Sequence, residues 1–225
     1  MSLSSANEAP RPVRMVFTSR AGGVSSSPYD SFNLGDHVGD DPAAVAANRG
    51  RLARILDLEH LVWMEQIHSN TVTVVDGPQE EPVEATDALV TTQRGLALVV
   101  QVADCVPVLL ADHVHGVVAA AHAGRMGARN GIVRRTVETM LELGATPDAI
   151  QVVLGPAASG RHYEVPAEMA ADVEKHLPGS RTRTEQGLGV TNIEADPRCT
   201  IEDESFFSYR REGTTGRQAG LVWLS

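Results

Sequence analysis

Three residues of this chain have the chemistry to hold a metal ion: His68, Cys105 and His122. Neutral imidazole offers nitrogen and a thiolate offers sulfur, the donors zinc prefers. A catalytic zinc keeps three protein ligands and a fourth position for water or substrate. The same borderline-soft set suits copper. The spacing matches no compact zinc finger, so the metal reading depends on what surrounds each residue. His122 stands in Gly116-Val-Val-Ala-Ala-Ala-His122-Ala-Gly124-Arg-Met-Gly127, where an apolar run of strand character meets a glycine-rich turn and a helical segment. Cys105 follows the strand-like run Leu96–Val102, and the Val106-Pro107 after it restrains the chain. His68 follows Leu61-Val62 in Trp63-Met-Glu65-Gln66-Ile67-His68-Ser69. Three ligands that each follow a strand can meet at one end of a sheet. Asp104, beside the cysteine, is a carboxylate able to orient an imidazole. The residues alone leave a second reading open, in which His68 caps a strand, Cys105 is a small buried apolar side chain and His122 fills a turn.

The elements that must position these residues follow from periodicity and punctuation. A first strand is expected over Val13–Phe17, then a long irregular segment, 18–37, rich in Gly, Ser and Asn. Phe32 and Leu34 inside it favour an ordered, functional loop. Asp41-Pro42 is a helix start, with Asp as cap and Pro at the first helical position. Val45, Leu52, Ile55 and Leu56 give that helix an apolar stripe. Asn48 and Arg49 flank the stripe, and Arg49 reads either as a rim residue or as a basic group at a pocket.

Strands are expected near 61–64, 71–75, 87–91, 96–102, 106–111 and 116–121, with Asp112–Gly116 closing a hairpin between the last two. A helix follows over 127–143, ended by Gly144, then a strand over 149–154 and a helix over 166–177. A polar stretch at 181–189, a strand at 190–193 and a third short helix from Asp196-Pro197 toward Ile201 come next. A last strand ends the chain. Hairpins mixed with crossover helices give an α/β (α+β) class with mixed sheets in a single domain, residues 13–225, after a loose tail, residues 1–12.

The chain has 225 residues and a formal net charge of −10, which argues against nucleic acid as a partner. Hydrophobic residues make up 42% and charged residues 21%, ordinary for a soluble protein. No apolar run approaches the ~20 residues needed to span a membrane. The start of the chain has no apolar core of a secretory signal. Two cysteines make no disulfide framework, so the expectation is a cytoplasmic protein. Cys199 reads as structural. Of the remaining histidines His37 is the best pocket candidate, and His162, beside Tyr163-Glu164, can be either surface or site.

Seven pieces then fall into one order: Thr18-Ser-Arg-Ala-Gly-Gly-Val-Ser25, Phe32-Asn-Leu-Gly-Asp-His-Val-Gly39, Asn48-Arg49, Gln66-Ile-His-Ser69, Ala103-Asp-Cys105, Ala121-His-Ala-Gly124, and Gly155-Pro156 with Tyr163-Glu-Val165. Together they resemble the successive signatures of the multicopper polyphenol oxidase, or laccase-domain, family. That group is also known by the names purine nucleoside phosphorylase and peptidoglycan editing factor. The resemblance spans about Val13 to Leu224. It implies a four-layer α/β/β/α fold and a metal, mostly zinc, on His68, Cys105 and His122. It implies phosphorolysis of adenosine, inosine, guanosine and methylthioadenosine, with adenosine deamination. Copper-dependent phenol oxidation, or an amidase editing peptidoglycan precursors, is the alternative.

The expected partner is a small nucleoside, with inorganic phosphate as co-substrate, and the chain a monomer or weak homo-oligomer. Arginine forks and glycine-rich backbone suit phosphate. Arg20 beside Gly22-Gly23 is the first candidate, then Arg49, then Arg125 and Arg129; Asn33 and His37 are candidates for ribose hydroxyls. The chain departs from the family pattern at Arg125-Met126, at Ala158 and in a shorter region after Leu177.

Overall fold

Strand positions that are buried on both faces dominate the centre of the chain, and they decide the architecture. The computed structural model describes residues 12–177 and 188–225. The expected tail, apart from residue 12, and most of the polar 181–189 stretch lie outside the described residues, as does most of the segment just after Leu177. In chain order the elements are β1 (Val13–Phe17), α1 (Pro42–Leu56), β2 (His60–Val62), β3 (Val72–Val74), β4 (Ala88–Thr91), β5 (Leu96–Val102), β6 (Val106–Asp112), β7 (Val117–Ala123), α2 (Arg125–Arg129), α3 (Ile132–Glu142), β8 (Ile150–Leu154), α4 (Ala167–His176), β9 (Asn192–Ala195), α5 (Tyr209–Glu212) and β10 (Gln218–Leu224).

The strands form two mixed sheets, one ordered β1-β10-β5-β2 and the other β3-β4-β7-β6-β8-β9. Side chains alternate across a strand, so β5 and β7 each feed two cores. Leu96, Leu98, Val100 and Val102 of β5 meet Val118 and Ala120 of β7 between the sheets. Ala97 and Val99 face the other way, packing with Leu52 of α1, Leu221 and Trp223. Val117, Ala119, Ala121 and Ala123 of β7 face Ile132, Val137 and Met140 of α3. The layers are therefore α1, sheet, sheet, α3, and the α/β/β/α expectation is borne out. Burying a leucine such as Leu98 completely contributes about 1.5–3 kcal/mol.

Local signals explain most element ends. Asp41 accepts a hydrogen bond from the Ala43 backbone N–H, and Pro42 opens α1. The irregular 18–37 segment is held by buried Asn48 of α1. The Asn48 amide donates to Ser25 Oγ and to the Ser31 and Asn33 carbonyls, and its oxygen accepts from Val24 N–H. Three expected elements differ. The helix over 127–143 is two helices, α2 and α3, broken at Asn130-Gly131, where Gly131 takes φ +82°. No helix starts at Asp196-Pro197; the Asp196 carboxylate instead closes a local turn by accepting from Arg198, and Cys199 forms an isolated bridge with Ala157. The strand expected at 190–193 is β9, shifted to Asn192–Ala195. α5, capped by Ser208, had no periodic signal.

Candidate metal centre and its cleft

Two segments carry the chain from the four-stranded sheet to the six-stranded one. Residues 63–71 link β2 to β3, and residues 103–105 link β5 to β6. His68 lies on the first crossing and Cys105 on the second. His122 is the sixth residue of β7, inside the strand rather than after it. Their ligand atoms all lie within 4.8 Å of one another. The His68 and His122 rings meet edge-on, with centroids 4.7 Å apart.

A buried carboxylate that the sequence reading passed over holds this arrangement. Asp87, fully buried just before β4, accepts from His122 Nδ1 at 2.8 Å. The same carboxylate accepts from the backbone N–H of His68 at 3.0 Å and of Ser69 at 2.6 Å, and from Ser69 Oγ at 2.7 Å. Thus one side chain orients one imidazole and fastens the turn that presents the other. The turn needs fastening, because His68 has φ +60°, a conformation unfavourable for a residue with a Cβ. Asp104, the expected orienting carboxylate, is occupied elsewhere: it accepts from Thr200 Oγ1 at 2.6 Å and from the Arg210 backbone N–H at 2.7 Å.

The electrostatics follow from these contacts. Burial favours the neutral His122 ring, but the hydrogen bonds to Asp87 and Cys105 outweigh it and raise its pKa to about 9. Burial and the neighbouring His122 hold His68 below its ordinary value. Burial alone would raise Asp87, yet the bonds from His122 and Ser69 bring it below the usual carboxylate range.

The residues fit a metal on the structure's own terms. Asp87 occupies His122 Nδ1 and leaves Nε2 to face inward, the usual arrangement of a metal-binding histidine. Gly124 keeps the centre open: a Cβ there would stand 2.6 Å from His68 Nδ1 and 3.2 Å from Cys105 Sγ. Two imidazoles and a thiol around such a space are a donor set for a zinc-class ion.

The triad opens into a cleft of about 340 Å³, lined also by His37, Gln66, Tyr163, Tyr209, Arg210 and Arg217. Gln66 braces its floor, exchanging two 2.8 Å hydrogen bonds with the Gln101 backbone. Arg210 lies over the Tyr163 ring, 4.7 Å from its centroid. Arg217 is the cation the sequence reading missed. Its Nη1 donates to the carbonyls of Thr215 and Gly216, and it makes no ion pair among the described residues. Burial pushes its pKa down, against the pull of Cys105, Asp104 and Tyr209.

The residues proposed from sequence for phosphate and ribose are mostly elsewhere. Arg20 pairs with Glu212 at 2.7 Å, donates to the Asp30 carbonyl and lies over Phe207, so it clamps the 18–37 loop to α5. Arg49 donates to the Leu34 carbonyl, stands 3.1 Å from Asp36 and stacks on Trp63 at 3.8 Å. Arg129 pairs with Asp172 of α4. Asn33 is fully buried and its amide is spent: Nδ2 donates to Gly35 and Asp40, and Oδ1 accepts from Gly35 N–H and Arg217 N–H. It therefore positions the Arg217 backbone. Arg125 opens α2 outside the cleft lining, close enough to depress His68. His37 alone of the group lines the cleft.

Residues 14–225 match the family described as multi-copper polyphenol oxidoreductase laccase. A Corynebacterium glutamicum protein named purine nucleoside phosphorylase is 66% identical, over 95% of this chain and 95% of its own. A Mycobacterium tuberculosis protein of the same name is 54% identical, over 94% and 92%. Among solved structures, the Bacillus licheniformis hypothetical protein YfiH superposes with a TM-score of 0.88 at 30% identity, covering 98% of each chain. YlmD from Geobacillus stearothermophilus gives 0.84 at 32% identity, over 94% and 92%. On a match that runs through both sheets and all three triad residues, the chain belongs to the multi-copper polyphenol oxidoreductase laccase family.

Proposed function

We propose that this protein is a purine nucleoside phosphorylase, acting on adenosine, inosine, guanosine and methylthioadenosine, with adenosine deamination as a second activity of the same cleft. The observation that carries the reading is the pairing of a metal-donor triad with Arg217, a desolvated guanidinium that makes no ion pair among the described residues, in one cleft. The relatives bearing the name purine nucleoside phosphorylase, at 66% and 54% identity, support it.

His68, Cys105 and His122 hold the metal in this reading, zinc first and copper as the alternative. When bound, the ion supplies Lewis-acid polarisation of a substrate oxygen. Arg217 presents its fork to inorganic phosphate, and Asn33 fixes its backbone. Tyr163 and Tyr209 offer flat apolar faces to a purine. In phosphorolysis a phosphate oxygen bonds to C1′ of the ribose as the C1′–N9 bond breaks, and its electron pair leaves on the purine, which takes up a proton. The protein works in the cytoplasm as a monomer or weak homo-oligomer. Laccase-type oxidation needs several copper sites, and of the eight histidines only two join the triad.

Zinc-loaded protein given inosine and phosphate is expected to release hypoxanthine and ribose 1-phosphate, with release dependent on phosphate. Arg217→Gln is expected to raise KM for phosphate about 10- to 100-fold, with a smaller change in KM for inosine. Absence of hypoxanthine with metal-loaded protein, or equal release without phosphate, would sink the reading.

A further inference from the structure

We propose that His162, Cys199 and Glu202 form a second site for a borderline-soft divalent cation of the zinc class, separate from the cleft triad. Cys199 is buried where it bridges Ala157, while His162 and Glu202 stand exposed on either side of it, leaving an open approach from solvent. The three ligand atoms lie within 4.8 Å of one another. His162 Nδ1 stands 3.9 Å from Cys199 Sγ, 3.4 Å from Glu202 Oε2 and 3.1 Å from Ser159 Oγ. In a tetrahedral zinc shell with ligand bonds of about 2.0–2.3 Å, neighbouring donors stand about 3.3–3.6 Å apart. The two distances from His162 Nδ1, to Cys199 Sγ and Glu202 Oε2, are within a few tenths of an ångström of that spacing.

The hydrogen bonding alone does not account for the convergence. One ring nitrogen faces three heteroatoms and can donate at most one proton among them. A cation at the centre satisfies nitrogen, sulfur and carboxylate together. The thiol is also prepared for ionisation. Burial opposes the thiolate, but the Ser159 hydroxyl, the Ser159 N–H, 3.3 Å from Sγ, and the backbone N–H groups of Glu202 and Ile201 outweigh it and bring the pKa to about 7. A thiolate and a carboxylate then neutralise a dication. The sulfur disfavours magnesium and calcium, which take oxygen, and the carboxylate disfavours copper(I), which takes sulfur.

The position gives the ion a role. Tyr163, next to His162, lines the cleft, and Thr200, next to Cys199, holds Asp104. An ion here ties the 159–163 turn to the 199–202 turn and so fixes one wall of the cleft without touching its contents.

The chain has two cysteines, so absorption by thiolate-bound cobalt(II) can be assigned. Wild type is expected to bind two equivalents of cobalt(II). Cys105→Ser is expected to keep a thiolate-to-cobalt charge-transfer band, and Cys105→Ser with Cys199→Ser to lose it. The proposal is overturned if folded Cys105→Ser protein shows no such band with cobalt in excess, or if Cys199→Ser binds as many equivalents as wild type. If removal of buried Cys199 prevents folding, His162→Ala and Glu202→Gln carry the test at exposed positions. Loss of the second equivalent, or at least about tenfold weaker binding, supports the site; unchanged binding in both overturns it.

Discussion

Gly124→Ala separates the metal centre from the fold around it. Gly124 has φ −70° and ψ 165°, a region open to any residue, so alanine brings no backbone strain. Its Cβ would lie 2.6 Å from His68 Nδ1, 3.1 Å from His68 Cε1 and 3.2 Å from Cys105 Sγ. Ordinary non-bonded contact is about 3.5–4.0 Å, so the imidazole must withdraw by roughly 1 Å. Metal–ligand distances tolerate only about 0.2 Å. The groups that must move are side-chain ends on the two crossings between the sheets, so the ligands yield while the sheets stay in place. Zinc affinity is expected to fall at least about 100-fold, which is about 2.8 kcal/mol at 1.4 kcal/mol per decade. The metal-free variant is expected to melt within a few degrees of metal-free wild type. Competition with a chromophoric chelator measures the first quantity and thermal melts by circular dichroism the second. A variant that keeps zinc affinity within about threefold of wild type would refute the placement of the metal between these three side chains.

Asp87→Asn keeps the shape of the carboxylate but turns an N–H₂ toward the donors of the 67–69 turn and His122. Metal affinity is expected to weaken about 10- to 100-fold, as for other groups that orient a ligand, and the same chelator competition returning an unchanged constant would count against Asp87 as the orienting residue. Asp112 gives the pH dependence. It is fully buried, which pushes its pKa up, but bonds from His115 and Thr146 outweigh this and hold it below the usual carboxylate range. A folded-state pKa below the unfolded value of about 3.9 means stabilisation that is present above that value and is lost as pH falls through the folded one. Asp112→Asn is therefore expected to destabilise by roughly 2–3 kcal/mol at neutral pH, with the gap from wild type narrowing below about pH 4 in urea unfolding. A gap that stays constant down to acid would refute the charge-based account.

The His68, Cys105 and His122 triad was legible because each residue follows or ends a strongly patterned run. β5 and β7 read as strands from their continuous apolar stretches, and the family signatures then picked His68, Cys105 and His122. Asp87 was invisible for a physical reason. It serves four backbone or hydroxyl donors and one imidazole drawn from two distant segments, 67–69 and His122, and no local spacing encodes that. Arg20, Arg49 and Asn33 show the opposite case: their neighbourhoods look like a substrate loop, and their polar atoms are engaged in ordering it, away from the cleft lining. Arg217 was passed over because it stands at a turn before the last strand, and only β10 pairing with β5 carries it to the cleft. The helix expected from Asp196-Pro197 failed because the aspartate closed a tight turn with Arg198 instead of capping a helix.

The placement of the triad follows from how the two sheets are connected. The chain passes from the four-stranded to the six-stranded sheet between β2 and β3, and again between β5 and β6. Each crossing interrupts regular pairing and frees one side chain, His68 from the first and Cys105 from the second, while β7 supplies His122 from within the six-stranded sheet. Crossings between packed sheets are places where backbone polar groups need partners other than a ladder. Asp87 meets that need at the first crossing; at the second the Asp104 carbonyl accepts from the Ala158 N–H, while its carboxylate takes the Thr200 hydroxyl and the Arg210 N–H. Each carboxylate thus supports the chain beside one ligand and connects it to a different wall of the cleft. Asp87 ties its ligand to the strand that carries His122, and Asp104 ties its own to the segment that leads toward Tyr209 and Arg210. The triad's geometry and the second wall of the cleft accordingly rest on separate carboxylates, which is why a change at Asp87 should register in metal binding while leaving that wall in place.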